Sequence, residues 1–287
     1  GSEMCIRDRL YAEALDKGDW NVTVPHRDRV LMRKAPFTAA PVEVTRTAQR
    51  FAGYAFTAQP GVSFQFESDE NRHWQTTRIV DIDKPGDPGR VLWDMSSDEL
   101  YKDPGMFVYR RLPNGAVVVR QDGNRVFLRG QGASPQGDRP FLDRLDLDSL
   151  KSERLFRSGT DDYDQFLGFT AAAGQFLTWH QSLMDPPNAY LRTLGQPLAD
   201  AAEGEAQFAS QGSALTHLPD PTPEVRQIRK RLVTYKRADG LDLSFTLYTP
   251  PGYRSGTRLP AVLYAYPADF ASSAQAGQVS GSQTVSY

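Results

Sequence analysis

The chain has 287 residues and a formal net charge of −2, from 33 basic and 35 acidic side chains. Its length allows one or two domains, and its balanced charge excludes the strongly basic surface with which many proteins bind nucleic acid or anionic membranes. No apolar stretch approaches the roughly 20 residues that a membrane-spanning helix needs. We therefore expect no nucleic-acid partner and no membrane insertion.

The first nine residues read GSEMCIRDR and resemble a translated sequencing adapter. Segments of this origin carry no information about a fold, so we expect residues 1–9 to be a cloning artefact that lies outside it. They contain the only cysteine, Cys5. From Leu10 onward the chain therefore offers no disulfide framework and no thiol chemistry.

Residues 10–222 predict short β-strands separated by Gly, Pro, Asn and Asp, with hardly any helical periodicity. Examples are VSFQFE at 62–67, AVVVR at 116–120 and QFLTWHQ at 175–181. The turn sequences PNG at 113–115 and DGN at 122–124 stand between such runs. Because Asn-Gly and Asp-Gly tolerate the positive φ of tight hairpin turns, they predict antiparallel neighbours.

An internal repeat of strand, turn and strand narrows the choice among all-β folds. The copies are IVDID at 79–83 with RVLWD at 90–94, RLDLD at 144–148 with ERLFR at 153–157, and a weaker pair, NAYLRTL at 188–194 with ALTHL at 214–218. Repeats of about 40 to 65 residues with some four short strands each are typical of propeller blades. We predict blades near residues 50–95, 106–158 and 164–218, with part of an earlier one, so that residues 10–222 form a partial β-propeller.

The pattern changes at the proline-rich segment PDPTPE, residues 219–224. QIRKRLVTYK at 227–236 and LDLSFTLYTPP at 241–251 predict a hairpin with an exposed polar face. LPAVLYAY at 259–266 is apolar on both faces, as a central strand covered on both sides must be. We predict that residues 223–287 are the N-terminal part of an α/β-hydrolase domain. The fold class is then mainly β, a partial β-propeller followed by the initial strands of an α/β-hydrolase domain.

The catalytic motif of such a hydrolase is missing from the sequence. A serine hydrolase of this fold carries its nucleophile in G-x-S-x-G, followed by an acid and a histidine. GVSFQ at 61–65 and GASPQ at 132–136 both lack the second glycine. The four histidines, His26, His73, His180 and His217, all precede residue 223, and we interpret them as surface or inter-strand residues.

Metal and nucleotide motifs are also missing. The sequence has no HExxH and no CxxC, and Asp161, Asp162 and Asp164 lack the glycine and the terminal glutamate of an EF-hand loop. GQGASPQG at 130–137 opens no helix, so we predict a turn at a blade edge rather than a dinucleotide loop. We expect no metal and no cofactor.

Several segments together resemble the prolyl oligopeptidase family of serine peptidases, most closely its glutamyl-endopeptidase-like branch. They are RVLWDMSSDELYKDPG from Arg90, GQGASPQGDRPFLDRLDL from Gly130, DPPNAYLR from Asp185, ALTHLPDPTPE from Ala214, VTYKRADGLDLSFTLYTPPGY from Val233 and AGQVSGSQ from Ala276. The resemblance implies that the propeller covers the active site and admits flexible peptides, which the hydrolase domain cleaves after glutamate by acyl-enzyme catalysis. A glutamate-selective pocket needs a basic side chain, but the sequence singles out no one arginine.

The resemblance also implies one site residue within the chain. In this family the loop after the third hydrolase strand carries a tyrosine that donates a hydrogen bond to the oxyanion of the tetrahedral intermediate. The family pattern, an aromatic, a small residue and a tyrosine, matches Tyr264-Ala265-Tyr266. It assigns this role to Tyr266, with Tyr264 as the alternative.

Two functional hypotheses follow. In the first, the chain is a fragment of a serine-type peptidase whose Ser, Asp and His lie beyond Tyr287, so that the fragment itself is inactive. In the second, the chain is a non-enzymatic β-propeller that serves as a binding or scaffold module. The proline-rich segment and the apolar LPAVLYAY after it favour the first hypothesis, because a free-standing propeller has no use for a buried strand attached to its last blade.

Overall fold

The computed structural model describes residues 8–284, and its regular structure is almost entirely antiparallel β-sheet, which confirms the predicted mainly β fold. By its internal contacts the chain forms two compact units. Among the described residues, the first unit comprises residues 8–98 with Phe107–Val126, and the second comprises Glu99–Met106 with residues 127–284.

The first unit begins with a three-stranded antiparallel sheet in the order β1-β2-β3. Its strands are β1 (Asp8–Ala14), β2 (Asp28–Lys34) and β3 (Val42–Thr47). Asp8 and Arg9, which we expected to lie outside the fold, are part of β1 because β2 continues to Lys34 and offers them partners. Residues 1–7 of the predicted artefact, with Cys5, lie outside the described residues.

A four-stranded antiparallel meander follows in the first unit, and it coincides with the predicted blade at residues 50–95. Its strands are β4 (Arg50–Phe56), β5 (Ser63–Asp69), β6 (Trp74–Val80) and β7 (Arg90–Ser96). Phe64 of β5 is completely buried, and its ring centroid lies 4.2 Å from that of Phe107. VSFQFE therefore forms a strand, as predicted. Phe64 lies on one buried face of it, and Gln65 on the opposite face is completely buried as well.

Buried ion pairs join the elements of the first unit. The carboxylate of Asp16 accepts hydrogen bonds from Arg27 and Arg50, each at 2.7 Å. Arg50 also binds Asp28 at 2.7 Å. Burial on its own would raise the pKa of Asp16, but Arg50 and Arg27 outweigh it and lower the pKa to about 2.

Both predicted hairpins are present in the next region. After the short strand β8 (Met106–Phe107), β9 (Tyr109–Arg111) pairs with β10 (Val117–Val119), and β11 (Gln121–Asp122) pairs with the start of β12 (Arg125–Gly130). Gly115, in the first turn, has φ of 85°, the conformation that the Asn-Gly sequence predicts. The Asn-Gly and Asp-Gly sequences therefore predicted the positions of these two hairpin turns correctly.

The second unit contains two further blade-like sheets. In the first of them, β13 (Phe141–Asp146) lies between β12 and β14 (Ser152–Arg157). The other is a meander of β15 (Asp162–Phe169), β16 (Gln175–Ser182), β17 (Asn188–Pro197) and β18 (Phe208–Ala214). Four antiparallel strands in chain order are the unit of a propeller blade, in agreement with the predicted partial β-propeller.

The strand that pairs with β17 differs from the one we predicted. The prediction gave ALTHL at 214–218, whereas the structure has β18, which ends at Ala214. The amides of Leu215 and Thr216 both donate to the same carbonyl, that of Ala189, at 2.8 and 3.4 Å. Two successive amides on one carbonyl cannot continue a ladder, so the strand stops there.

The core of the second unit is aromatic. Phe176 is completely buried, with ring centroids 5.4 Å from Phe156 and 6.0 Å from Phe166. Phe127 and Phe169 pack at 4.7 Å in the same core. Inward-facing residues of β15 and β16 therefore meet those of β12 and β14, in the preceding sheet, in one cluster.

The last part of the chain holds the predicted hairpin, now β19 (Arg229–Lys236) and β20 (Asp242–Thr249), after a 3₁₀ turn at Pro223–Gln227. A single-turn helix, α1 (Ser273–Ala276), follows near the end. None of the helices among the described residues is long and apolar enough to cross a bilayer.

The prediction that LPAVLYAY forms a buried central strand is wrong for this structure. Residues 259–266 have no strand assignment, and the side chains of Val262 and Leu263 are 97% and 89% exposed. Among residues 8–284 no strand pairs with this segment, and an unpaired segment gains neither the hydrogen bonds nor the covered faces that define a central strand.

Candidate functional site

The predicted oxyanion donors lie in the segment between β20 and α1. Tyr264 is 87% exposed and Tyr266 is 84% exposed. Both side chains are therefore largely exposed to solvent, and their burial does not distinguish one tyrosine from the other. The assignment of the oxyanion role to Tyr266, with Tyr264 as the alternative, stays a prediction.

The serines of the two near-motifs have structural roles. The Ser63 hydroxyl is buried and donates to the Val80 carbonyl at 2.9 Å. The Ser134 hydroxyl donates to the Gly137 carbonyl at 2.6 Å, inside the loop between β12 and β13. That loop, residues 131–140, contains no helix, in agreement with the predicted turn at a blade edge.

Two of the four histidines are held by aspartates. His73 Nδ1 lies 2.9 Å from both carboxylate oxygens of Asp98, and His180 Nδ1 lies 3.1 Å from Asp164 Oδ2 on the neighbouring strand. His217 is exposed on the segment after β18. These positions fit the interpretation of the histidines as surface and inter-strand residues.

A cluster of Asp162, Asp164 and His180 has ligand atoms close enough to hold a metal ion, all within 4.8 Å of one another. However, Asp164 already accepts hydrogen bonds from Thr178 at 2.8 Å and lies 2.7 Å from Arg192. The guanidinium supplies the positive charge that a metal would bring, so the cluster is a satisfied ion-pair network.

The protonation states of this network follow from its contacts. The hydrogen bond to Asp164 raises the pKa of His180 against the effect of burial. Burial would raise the pKa of Asp164, but His180 and Arg192 lower it on balance. The network is therefore most stable with the carboxylate ionised and the imidazole protonated.

The segment AGQVSGSQ, one of the family marks, contacts the other marks within the second unit. The Gln278 side chain accepts from the Leu100 amide at 2.7 Å and donates to Glu99 at 2.6 Å, and the Val279 amide donates to the Tyr101 hydroxyl at 2.8 Å. The Gly281 carbonyl accepts from the Asp138 amide at 3.0 Å. Residues 178 and 179 positions apart in sequence thus meet on one surface.

Beside this surface lies an open recess of about 800 Å³. It is lined by Tyr101, by Gln278 and Val279, and by the turn end of the β19–β20 hairpin, including Arg237 and Asp242. No histidine or cysteine lines it among the described residues. Its lining includes the hydroxyl side chains of Ser244 and Ser273 and the carboxylate of Asp239, but none of the imidazoles that a serine hydrolase uses as its base.

Three arginines of the second unit converge on Glu205 and the carbonyl of the preceding Gly204, a cluster that the sequence did not indicate. Arg139 binds both carboxylate oxygens of Glu205, at 2.6 and 2.8 Å. Arg154 and Arg157 donate to the Gly204 carbonyl at 2.7 and 2.6 Å. The nearest signal in the sequence is the family mark GQGASPQGDRPFLDRLDL, which contains Arg139.

The charges of this arginine cluster perturb one another. Burial lowers the pKa of Arg157, and so does the positive charge of Arg139. The hydrogen bond from Arg139 lowers the pKa of Glu205. Arg154 is bound to Asp143 at 2.9 Å, so the cluster contains a second carboxylate besides that of Glu205.

Two curated proteins match the chain over almost its whole length. The "Probable glutamyl endopeptidase, chloroplastic" of Arabidopsis thaliana is 30% identical over 293 residues, which cover 95% of this chain and 29% of the relative. The protein of the same name from Oryza sativa subsp. japonica is 30% identical over 291 residues, which cover 95% of this chain and 30% of the relative.

The chain is similar to the glutamyl endopeptidases along almost its whole length.

This similarity confirms the predicted resemblance. The chain spans less than a third of the length of the glutamyl endopeptidases that it matches.

The solved structures are less similar to the chain than these two relatives are. Oligopeptidase B from Trypanosoma brucei is 12% identical with a TM-score of 0.47, over 83% of this chain and 31% of that one. The AtxE2 isopeptidase without ligand is 14% identical with a TM-score of 0.31, over 88% of this chain and 45% of that one. No family model matches the chain.

Proposed function

We propose that these residues are part of a serine-type peptidase that binds peptides and cleaves them after glutamate through an acyl-enzyme intermediate. The observation that carries the proposal is the 30% identity to glutamyl endopeptidases along 95% of the chain. In this account residues 10–222 are propeller blades, and residues 223–287 are the first part of an α/β-hydrolase domain.

The β19–β20 hairpin supports the second assignment. Its two strands pair only with each other among the described residues, and Tyr235, Phe245 and Tyr248 leave 48%, 44% and 58% of their surface exposed. Tyr235 and Phe245 share one face of this two-stranded sheet, and Tyr248 lies on the other. Exposed aromatic side chains are typical of faces that other layers cover. An α/β-hydrolase sheet and its helices would supply those layers.

Tyr266 is proposed as a donor to the oxyanion, with Tyr264 as the alternative. A phenol is a neutral hydrogen-bond donor on a rigid ring, and a donor aimed at the oxyanion lowers the energy of the tetrahedral intermediate. Both hydroxyl groups lie at the surface, where a substrate carbonyl can reach them.

The chain of 287 residues is proposed to be inactive by itself. It contains no G-x-S-x-G motif, and its four histidines all precede the β19–β20 hairpin. Without nucleophile and base, the remaining contacts of such a site give only residual rates.

Cleavage mapping tests the proposed specificity. A protein of the relatives' length that carries these residues is incubated with a mixture of unstructured peptides, and the new termini are identified by mass spectrometry. We expect cleavage after glutamate, and the 287-residue chain in the same assay is the matched control without turnover. Cleavage without any preference for glutamate would contradict the specificity, and no cleavage by the longer protein would favour a scaffold module.

A further inference from the structure

The arginine cluster combines side chains on or beside the strands of a sheet with a glutamate on a loop. Arg154 and Arg157 lie on β14, and Arg139 precedes β13 and also donates to the Ser158 carbonyl at 3.0 Å. Glu205 lies in the loop between β17 and β18, residues 198–207. The three arginines are therefore fixed by a sheet and its edge, whereas their partner is supplied by a loop.

The cluster has more positive than negative charge. Three guanidinium groups face the carboxylates of Glu205 and Asp143. In addition, the Nε atom of Arg157 is buried and has no hydrogen-bond partner among the described residues. A buried donor without an acceptor is unfavourable, so a further acceptor or a better placed anion would stabilise the cluster.

Glu205 can leave the cluster more easily than the arginines can. Its side chain is 40% exposed, whereas those of Arg139 and Arg157 are 20% and 12% exposed. The amide of Gln207 donates to the Arg154 carbonyl at 2.8 Å, which holds the base of the loop while its tip remains outside the sheet.

The tip itself is adapted to a close approach. Gly204 has φ of 78°, and a Cβ atom there would lie 3.3 Å from an Arg157 nitrogen. Glycine therefore lets the carbonyl of residue 204 approach two guanidinium groups. The loop sequence around it, AAEGEA, has no apolar side chain larger than alanine, so the arginines hold the tip through polar contacts alone.

We propose that Arg139, Arg154 and Arg157 form a binding site for a side-chain carboxylate of an acidic peptide, and that Glu205 occupies this site as a tethered, displaceable stand-in for the ligand. A carboxylate suits the site because Arg139 already binds one through two parallel hydrogen bonds, the geometry that a guanidinium favours. The site lies on the blades of the second unit and contains no catalytic group. Its existence therefore does not depend on the proposed peptidase activity.

Binding to the 287-residue chain tests the proposal directly. The probe is N-acetyl-glutamate α-amide, which carries a single side-chain carboxylate, and affinity is measured by isothermal titration calorimetry at low salt. Glu205→Gln keeps the shape of the loop but removes its charge. Because a tethered competitor lowers the apparent affinity by the fraction of sites left open, we expect this variant to bind at least about tenfold more tightly than the unmodified chain.

Matched controls separate a site from general charge attraction. Arg157→Gln in the Glu205→Gln background should abolish binding, whereas Arg144→Gln should not, because Arg144 lies on the same sheet but pairs with Glu153. The uncharged probe N-acetyl-glutamine α-amide should bind at least tenfold more weakly, and inorganic phosphate should not match the glutamate probe. Circular dichroism verifies that each variant is folded, and Glu205→Asp, with a shorter arm, provides an intermediate gain in affinity.

The proposal is overturned if Glu205→Gln and Glu205→Asp bind the glutamate probe no more tightly than the unmodified chain, since Glu205 is then a structural ion-pair partner. Equal binding of the glutamine probe or of phosphate also overturns it, because the site would not select a carboxylate. Loss of peptidase activity in a longer protein with unchanged probe binding contradicts the proposed function but not this site.

Discussion

Replacing Asp164 by asparagine tests the ion-pair network that crosses the last four-stranded sheet. The Asp164 side chain is 1% exposed and lies 2.7 Å from Arg192, 2.8 Å from Thr178 and 3.1 Å from His180. Asparagine keeps the volume but removes the negative charge. Arg192 and His180 would then lose the carboxylate that both of them contact in a largely buried site.

The expected cost follows from this geometry. Removing one partner of a buried ion pair destabilises a protein by about 3 to 5 kcal/mol. Arg192 and His180 retain 13% and 11% exposure, which lets water compensate part of the loss, so we expect about 3 kcal/mol. For a unit of this size, this corresponds to a fall in Tm of about 6 to 12 °C.

The pH dependence gives a second, independent readout. The pKa of His180 is raised above its ordinary 6.5, so its contribution to stability is fully present below about pH 6.5 and is lost as the pH rises through the folded-state pKa. The pKa of Asp164 is lowered from 3.8, so its contribution is present above about pH 4 and is lost as the pH falls through the folded-state pKa. The difference in stability between the unmodified chain and Asp164→Asn should therefore be largest between about pH 4 and pH 6.5.

Urea unfolding at a series of pH values measures both effects. Asp94→Asn is the matched control, because Asp94 also accepts from a threonine hydroxyl, at 2.7 Å, but is exposed. It should cost less than about 1 kcal/mol. If Asp164→Asn costs no more than the control, or if its pH profile equals that of the unmodified chain, the network does not stabilise the sheet as described.

Three further predictions concern separate parts of the chain. Phe176→Ala should lower the free energy of unfolding, measured by calorimetry, by about 3 to 5 kcal/mol because Phe176 is completely buried. Leu167→Ala is the control and should lower it by less than about 1 kcal/mol, because the Leu167 side chain is 53% exposed. Similar values for the two variants would contradict the aromatic core. The pKa of Asp16, lowered to about 2, predicts a loss of stability as the pH falls from about 4 to about 2, and Asp16→Asn should remove this part of the acid transition. In a protein of the relatives' length, Tyr266→Phe should lower kcat on the order of a hundred- to a thousandfold with little change in KM. A larger effect of Tyr264→Phe would assign the oxyanion role to that residue, and changes below about threefold in both variants would refute it.

Much of the strand and turn arrangement could be predicted from the sequence because it depends on local chemistry. Alternating apolar residues marked β5, and Asn-Gly and Asp-Gly marked the two tight hairpins. The sequence did not predict β18 because FASQGSA has small residues and little alternation of apolar and polar side chains. ALTHL does alternate, but the amides of Leu215 and Thr216 both donate to the Ala189 carbonyl, so this segment does not continue the strand pairing.

The ion-pair clusters could not be predicted because their members are far apart in sequence. Arg139 and Glu205 are separated by 66 residues, and their contact depends on how a blade edge and a distant loop fold together. LPAVLYAY was mispredicted for a different reason. Its apolar composition fits a buried strand, but a strand also needs a neighbouring strand to hydrogen-bond with, and composition does not reveal whether one is present. The oxyanion role of Tyr266 came from the family resemblance alone.

The most direct test of the central claim is covalent labelling by a fluorophosphonate probe, which reacts with activated serines. A protein of the relatives' length that carries these residues should be labelled at one serine within a G-x-S-x-G motif, and a glutamate-containing peptide should slow the labelling. The 287-residue chain should remain unlabelled under the same conditions. Absence of label on the longer protein, or label on the 287-residue chain, would contradict the account of these residues as part of a serine peptidase whose nucleophile lies outside them.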